Sequence, residues 1–117
     1  MAELKPDRLE FLQGTLDMLI LRTLLFGELH GYGIAQSIRL ASRDALLIEA
    51  GSLYPALQRL ELQKLITAKW QISETGRRAR FYKLTPAGRN KLVSTMSRWE
   101  DFVTAIGRVL HPVESPE

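Results

Sequence analysis

The strongest constraint on the fold of this chain is a long amphipathic segment near its C-terminus. Thr85 is followed by Pro86, a pair that predicts a helix start, because threonine caps a first turn and proline lacks only an N–H that would be unpaired there. A helix that ends before Pro112 would be roughly 37 Å long at ~1.5 Å per residue, longer than a compact domain of this size needs. Apolar residues recur along it at intervals of four and three, the spacing of a coiled-coil seam: Leu92, Met96, Trp99, Val103, Ile106 and Leu110. The pattern therefore predicts another helix beside this seam.

The first predicted helix is apolar on nearly all sides. In residues 14–26, GTLDMLILRTLLF, only Asp17, Arg22 and Thr23 interrupt the apolar residues from position 16 onward. An ordinary surface helix shows one apolar stripe, so this segment needs additional cover, and a partner chain is the simplest one. The predicted homodimer interface contains Leu12, Leu16, Leu19, Leu92, Met96, Trp99, Val103, Ile106 and Leu110.

The length and composition fit one small globular domain with an appended helix. The chain has 117 residues, of which 45% are hydrophobic and 25% charged, values typical of a folded chain. We expect a tail at 1–10, a compact domain at 11–85, a dimerisation helix at 86–111 and a second tail at 112–117.

Several classes of site are not expected. The chain has no cysteine, so disulfides and thiolate metal sites are excluded, and a reducing compartment fits. His30 and His111 lack a companion at metal-ligand spacing, and the glycines of GELHGYG match no nucleotide-binding motif. No catalytic constellation stands out, so we expect neither an enzyme nor a cofactor. The N-terminal MAELKPDRLE has alternating charges and no later segment approaches ~18 apolar residues, which favours a cytoplasmic protein without a membrane span.

The middle of the chain reads as a turn followed by two helices. The turn is GELHGYG at 27–33, and the short helix after it places Ile34, Ile38 and Ala41 on one side. Residues 42–50 connect this helix to the next one. Their apolar trio at 46–48 is compatible with a short strand.

The second of these helices, within GSLYPALQRLELQKLI at 51–66, has a core face and an exposed face. Leu53, Leu57 and Leu60 share the core face, while the opposite side carries Tyr54, Pro55, Gln58, Arg59 and Leu62. Proline is tolerated only near a helix start. We favour Ser52 as the N-cap. A start at Glu49 is the alternative, and it would sacrifice a hydrogen bond to Gly51.

A basic hairpin follows. Residues 69–73 and 79–84 alternate in polarity like two short strands, and ETGRR supplies the turn between them. Residues 69–91 contain seven basic side chains and one acidic side chain, whereas the formal charge of the whole chain is only +3. Such clustering favours contact with a polyanion.

The order of helix, turn, helix, helix and basic hairpin is that of a winged helix-turn-helix in a mainly α (α+β) fold. A helix fits the major groove of duplex DNA. The basic hairpin is the wing of such a fold, and its arginines can contact the DNA backbone or the minor groove. The turn before the first short helix can offer backbone N–H groups to a phosphate. The residues predicted to contact double-stranded DNA are His30, Gly31, Tyr32, Ser52, Tyr54, Pro55, Gln58, Arg59, Arg77, Arg78 and Arg80.

Five stretches in fixed order resemble the PadR-like transcriptional regulators of the short type, with a single C-terminal helix. They are LQGTLDMLIL, HGYGIAQSI, GSLYPALQRLE, RRARFYKLTPAGR and SRWEDF, which together span about residues 11–110. The resemblance implies a homodimeric DNA-binding protein, usually a repressor, in which the first and last helices of two subunits interlock. Such a dimer is expected to bind a roughly palindromic operator with half-sites about one helical turn apart.

The resemblance also implies roles for individual residues. The family's Tyr-Pro pair falls on Tyr54 and Pro55, its wing arginines on Arg77, Arg78 and Arg80, and its interface tryptophan on Trp99. In some relatives aromatic residues of the last helix line a cavity for planar drugs, which makes Trp99 a candidate contact for a small-molecule effector. One departure is Lys64, where relatives usually have glycine. The helix that carries Tyr54 and Pro55 is therefore expected to end differently here.

Purely structural roles are the alternatives for these residues. Tyr54 could pack against the hairpin, Pro55 could serve only to start the helix, and Trp99 could be dimer core alone. A dimeric winged-helix adaptor that binds proteins instead of DNA is the alternative function.

Overall fold

The computed structural model describes residues 5–113, with side chains from Gly14 onward. Four helices surround a small antiparallel sheet, which confirms the predicted winged-helix fold. No helix in this described part is long and apolar enough to cross a membrane. The elements in chain order are α1 (Lys5–Leu24), β1 (Leu29–His30), α2 (Gly31–Ala41), α3 (Ala50–Leu62), β2 (Ile66–Ile72), β3 (Arg78–Leu84) and α4 (Pro86–Leu110).

The sheet has the order β1-β3-β2, so the second strand of the hairpin is its centre. Ala68 pairs with Tyr82, and His30 pairs with Phe81. The two-residue strand β1 was not predicted, because it is too short to show alternation. The suggested strand at 46–48 is wrong: these residues have no regular structure, and Leu46 and Leu47 are exposed.

The hydrophobic core is built around α1. Its apolar sides are covered by α2, α3, α4 and β3 of the same chain, and Ile20, Leu21 and Leu24 are almost fully buried. Leu16, predicted at the dimer interface, lies in this core and is only 7% exposed. From Leu16 onward α1 is thus largely covered by three helices and a strand of its own chain, while Leu19, also predicted at the interface, is only partly buried. The interface residue Leu12 lies outside the residues whose side chains are described.

Helix α3 starts three residues earlier than favoured from the sequence. Glu49, not Ser52, is the N-cap, and the Glu49 carbonyl accepts hydrogen bonds from the amides of Ser52 and Leu53, each at 2.9 Å. Pro55 is therefore one turn inside the helix and cannot donate to the Gly51 carbonyl, as the alternative start required. Gly51 and Ser52 are both exposed, so solvent can reach this turn.

Helix α3 ends in a left-handed cap despite the lysine. Lys64 has φ of 63°, and its amide donates to the Glu61 carbonyl at 2.9 Å. The Leu65 amide donates to the Leu60 carbonyl at 3.0 Å, which completes a Schellman motif. The expectation of a different helix end is therefore wrong. The lysine accepts a backbone conformation that costs a non-glycine residue about 1 to 2 kcal/mol.

The first turn of helix α4 is held against the backbone of Leu65, the last residue of the Schellman motif. Thr85 caps α4, with its hydroxyl accepting from the Gly88 amide at 2.9 Å, and the Thr85 amide donates to the Leu65 carbonyl at 3.1 Å. A Cβ at position 88 would collide with this same carbonyl oxygen. Glycine is required here because two backbone segments touch.

The two halves of α4 differ. Leu92, predicted at the dimer interface, is 2% exposed and belongs to the core of its own chain, and Met96 and Trp99 pack against that core. Val103, Ile106 and Leu110 are exposed, because α4 runs past the end of the compact part. The radius of gyration is 16.8 Å, against about 13 Å for a compact domain of this length. The predicted seam is thus buried at its start and open at its end.

We expect Gly88→Ala to lower the free energy of unfolding by about 1 to 3 kcal/mol, because the added methyl group must displace the Leu65 carbonyl or the start of α4. Urea denaturation followed by circular dichroism measures this change. The control is Gly51→Ala, since a Cβ there meets no atom within 4 Å. Equal stability of Gly88→Ala and the natural protein would contradict the close backbone contact.

Candidate nucleic-acid interface

Three parts of the chain meet around one open groove of about 1080 Å³. They are the start of α2, the first half of α3 and the β2–β3 hairpin. Seven of the residues predicted to contact DNA line this groove: His30, Gly31, Tyr32, Tyr54, Arg77, Arg78 and Arg80. The fold therefore brings together side chains that are almost 50 residues apart in sequence.

The start of α2 is held in place by His30. Its Nδ1 accepts a hydrogen bond from the Gly33 amide at 3.0 Å, and its ring packs edge-on against Phe81 with centroids 5.1 Å apart. His30 is thus the N-cap of α2, so its Nδ1 is not available to a ligand. The amides of Gly31 and Tyr32 belong to the first turn, where helical geometry provides no acceptor within the helix. Both residues line the groove, and Gly31 itself is buried.

Tyr54 lies across the beginning of α2. Its hydroxyl is 2.8 Å from the point that a Cβ on Gly31 would occupy, so a larger residue at position 31 would require the tyrosine to shift. Half of the Tyr54 side chain remains exposed in the groove. The hydroxyl end of the ring therefore lies against the start of α2, and the rest of the exposed surface faces the groove.

The remaining exposed face of α3 lies next to the groove. Ser52, Pro55 and Gln58 are exposed and do not line the groove itself. Their spacing of three residues places them on one side of the helix, opposite Leu53, Ala56 and Leu60 in the core. This side is narrow and uncharged.

Arg59 differs from its neighbours. Its Nη2 donates to Oδ1 of Asp17 on α1 at 2.8 Å, and both side chains are mostly buried. Burial raises the pKa of Asp17 above its usual value, while the guanidinium of Arg59 acts in the opposite direction. The sequence pattern placed Arg59 on the exposed face, but the structure directs its charge towards α1. It ties α3 to the core helix.

The three wing arginines have three different surroundings. Arg80 is held by Glu61 of α3 in a forked ion pair, with N–O distances of 3.1 and 2.8 Å. The guanidinium of Arg78 lies over the ring of Trp70, 4.7 Å from its centroid. Arg77 is exposed beside the turn. Within residues 14–113, no carboxylate forms an ion pair with Arg77 or Arg78.

Sequence reasoning missed three residues of this region: Asp17, Glu61 and Trp70. The two carboxylates act through partners 42 and 19 residues away, so no local pattern reveals them. Trp70 was assigned to the apolar side of a strand. That side is buried at Ile66 but leaves the core towards the hairpin tip, where the tryptophan becomes exposed.

A second, smaller groove of about 370 Å³ lies between α1 and α4. It is largely apolar and is lined by Gly14, Thr15, Met18, Thr95, Arg98, Trp99 and Phe102. The rings of Trp99 and Phe102 are 6.1 Å apart. Trp99 is therefore at a groove, as well as packed against the core.

The model of the family described as "Transcriptional regulator PadR-like family" matches residues 20–94. The chain belongs to the PadR-like family. Among its relatives, transcriptional regulator Rv3488 of Mycobacterium tuberculosis is 31% identical over 97 residues, which cover 83% of this chain and 87% of that protein.

Solved structures of other regulators agree with this membership. A transcriptional regulator from Clostridium thermocellum has a TM-score of 0.77 and 29% identity, covering 85% of this PadR-like chain and 96% of its own. A PadR family transcriptional regulator from Eggerthella lenta has a TM-score of 0.73 and 29% identity, covering 96% of both chains. The long α4 lies within the span shared with the Eggerthella protein.

The Asp17–Arg59 pair gives this PadR-like protein a testable pH dependence. Because the pKa of Asp17 is raised on folding, the folded state binds the proton more tightly than the unfolded state. The resulting stabilisation is fully present at pH values below the ordinary pKa of 3.8. It is lost as the pH rises through the raised pKa of Asp17 in the folded state. We expect the unfolding free energy of the natural protein, relative to Asp17→Asn, to fall over that window and then to level off. Urea titrations at a series of pH values measure the difference, and a rise with pH would contradict the assignment.

Proposed function

We propose that this PadR-like regulator is a homodimer that binds a roughly palindromic operator in double-stranded DNA and represses transcription. The observation that carries the proposal is the shared groove, in which the α2 amides, Tyr54, Arg77 and Arg78 face the same space. Repression follows from the family resemblance, and the palindrome follows from the two-fold symmetry of a dimer. The cytoplasm is the proposed location, since the DNA is there.

In this proposal α3 enters the major groove. Ser52, Pro55 and Gln58 form its free side, and the Gln58 amide can pair with an adenine edge. Tyr54 and the start of α2 would contact the adjacent backbone, where the amides of Gly31 and Tyr32 can donate to a phosphate. Arg59 supports α3 through Asp17 and does not reach a base.

The wing supplies most of the electrostatic attraction. Arg77 and Arg78 line the groove without a carboxylate partner among the described residues, so they can displace counterions from DNA phosphates. Arg80 is already paired with Glu61. We assign it a supporting part at the base of the wing.

The second half of α4 is the proposed dimer interface. Val103, Ile106 and Leu110 continue the seam beyond the core, and Phe102, Val109 and Val113 add exposed apolar area around it. A contiguous apolar surface of this kind is typical of a protein contact. Two copies joined here would present two α3 helices to half-sites about one helical turn, or 34 to 36 Å, apart.

Regulation would act through the same helix. The groove beside Trp99 is large enough for a planar apolar effector and lies between α1 and the start of the open half of α4. A ligand that favours a dimer with another spacing between the α3 helices would release the DNA.

Selection of bound duplexes from a random pool tests the proposal. The expected outcome is an inverted repeat with half-site centres about 10 base pairs apart. Enrichment of no sequence, together with a salt-independent interaction, would contradict DNA binding and favour a protein-binding adaptor.

Arg78→Ala should weaken binding to the selected duplex and reduce the slope of log K against log salt by about two per dimer, because one phosphate contact is lost in each of the two subunits. Fluorescence anisotropy at a series of salt concentrations measures the slope. Arg39→Ala removes the same charge near the other end of α2, where Arg39 pairs with Asp44. The control should keep the natural slope, and equal slopes for all three proteins would remove Arg78 from the interface.

Ile106→Glu should convert the protein to a folded monomer, because the carboxylate would be buried between two apolar helices. Sedimentation equilibrium gives the mass, and circular dichroism shows whether the helices are retained. Thr104→Glu places the same charge on the opposite side of α4 and should leave a dimer. A dimeric Ile106→Glu protein would place the interface elsewhere.

A further inference from the structure

We propose that Trp70 is part of the DNA-binding surface, where it holds Arg78 in the orientation that enters the minor groove. The inference rests on the proposed function. It concerns a residue to which the sequence pattern gave only a place in the alternation of a strand.

The register of the hairpin puts Trp70 and Arg78 on one face. Trp70 is paired with Arg80, and Ile72 is paired with Arg78, so the tryptophan and Arg78 are diagonal neighbours across the two strands. The guanidinium carbon of Arg78 is 4.7 Å from the centroid of the indole ring. Both side chains line the same groove as Tyr54.

Trp70 is not needed by the hydrophobic core. It is 55% exposed and does not belong to the set of side chains packed on the core cluster. Ile72, the next residue on the same face of β2, is 67% exposed. A large aromatic side chain in such a position retains most of its surface for contact with another molecule.

The stacking leaves the donors of Arg78 usable. A guanidinium that lies over a ring uses its face, while its five N–H groups point outward in the plane. The ring also restricts an otherwise flexible side chain before DNA arrives, which reduces the entropy lost on binding. Arg78 is therefore an ordered cation with free edges, the form that suits a narrow minor groove of strongly negative potential.

Arg80, the neighbouring arginine on β3, has a different partner from Arg78. The Arg80 guanidinium, opposite Trp70 on β3, is bound at both ends by Glu61. The tryptophan therefore orders one cation while a carboxylate neutralises the other. We expect Trp70 to contribute to affinity only through Arg78 and through its own contact with the sugar-phosphate edge.

Tryptophan fluorescence tests the contact directly. Trp70 and Trp99 are the two tryptophans of the chain, so Trp99→Phe leaves Trp70 as the only tryptophan that can be excited selectively over the tyrosines. Addition of the selected duplex should quench or shift its emission, and high salt should reverse the change. Unchanged emission, while anisotropy of a labelled duplex reports binding, would overturn the inference and leave the proposed function intact.

A double-mutant cycle tests the coupling. Trp70→Ala should weaken binding about five- to tenfold. The loss in the Trp70→Ala/Arg78→Ala protein should be clearly smaller than the product of the two single losses, because part of the Trp70 effect acts through Arg78. Trp70→Phe should retain most of the affinity, and Ile72→Ala, on the same exposed face, should bind like the natural protein. Additive losses would show that Trp70 does not act through Arg78, and natural affinity in Trp70→Ala would show that Trp70 contributes nothing; either outcome overturns the inference.

Failure of the two proposals can be told apart. If the natural protein binds no duplex at any salt concentration, the proposed function fails and Trp70 loses its role with it. If the natural protein and Ile72→Ala bind, the fluorescence of Trp70 decides the inference even where Trp70→Ala folds poorly.

Discussion

The backbone around Leu65 joins the parts of this molecule that must keep a fixed relation. Its amide closes the left-handed end of α3, and its carbonyl accepts from both the amide and the hydroxyl of Thr85 at the start of α4. Gly88 lets α4 approach this carbonyl without a side chain between them. The end of α3, the start of β2 and the start of α4 are thus joined at Leu65 and the residue that follows it. Movement at this junction would change the angle between the wing, α3 and α4 together.

The distribution of partners divides the basic residues into supports and free cations. Arg59 and Arg80 bind Asp17 and Glu61, and these two ion pairs connect α3 to the core helix on one side and to the wing on the other. Arg77 and Arg78 have no such partner within residues 14–113. A count of charge in the sequence treats all four alike, yet only the unpaired ones can release counterions from a polyanion without first breaking an internal contact.

The long helix serves two purposes along its length. Its beginning completes the core of its own chain through Leu92, and its end carries the same apolar spacing into solvent. Because a helix is a stiff rod, the core half fixes the direction in which the open half projects. Any partner bound to the open half would therefore be placed at a defined angle to the DNA-facing groove.

The sequence by itself determined the order of the helices and the hairpin, the capped start of α4 and the core face of α3, because each depends on residues within one or two helical turns. It also predicted seven residues that line the groove. Only the tertiary structure decided which arginines are paired, that α1 is enclosed by its own chain, that Leu16 and Leu92 are core residues, and that Trp70 is exposed. The physical reason is distance along the chain: a periodic pattern reports that a side chain is apolar or charged, whereas its cover or partner comes from an element that only folding brings near.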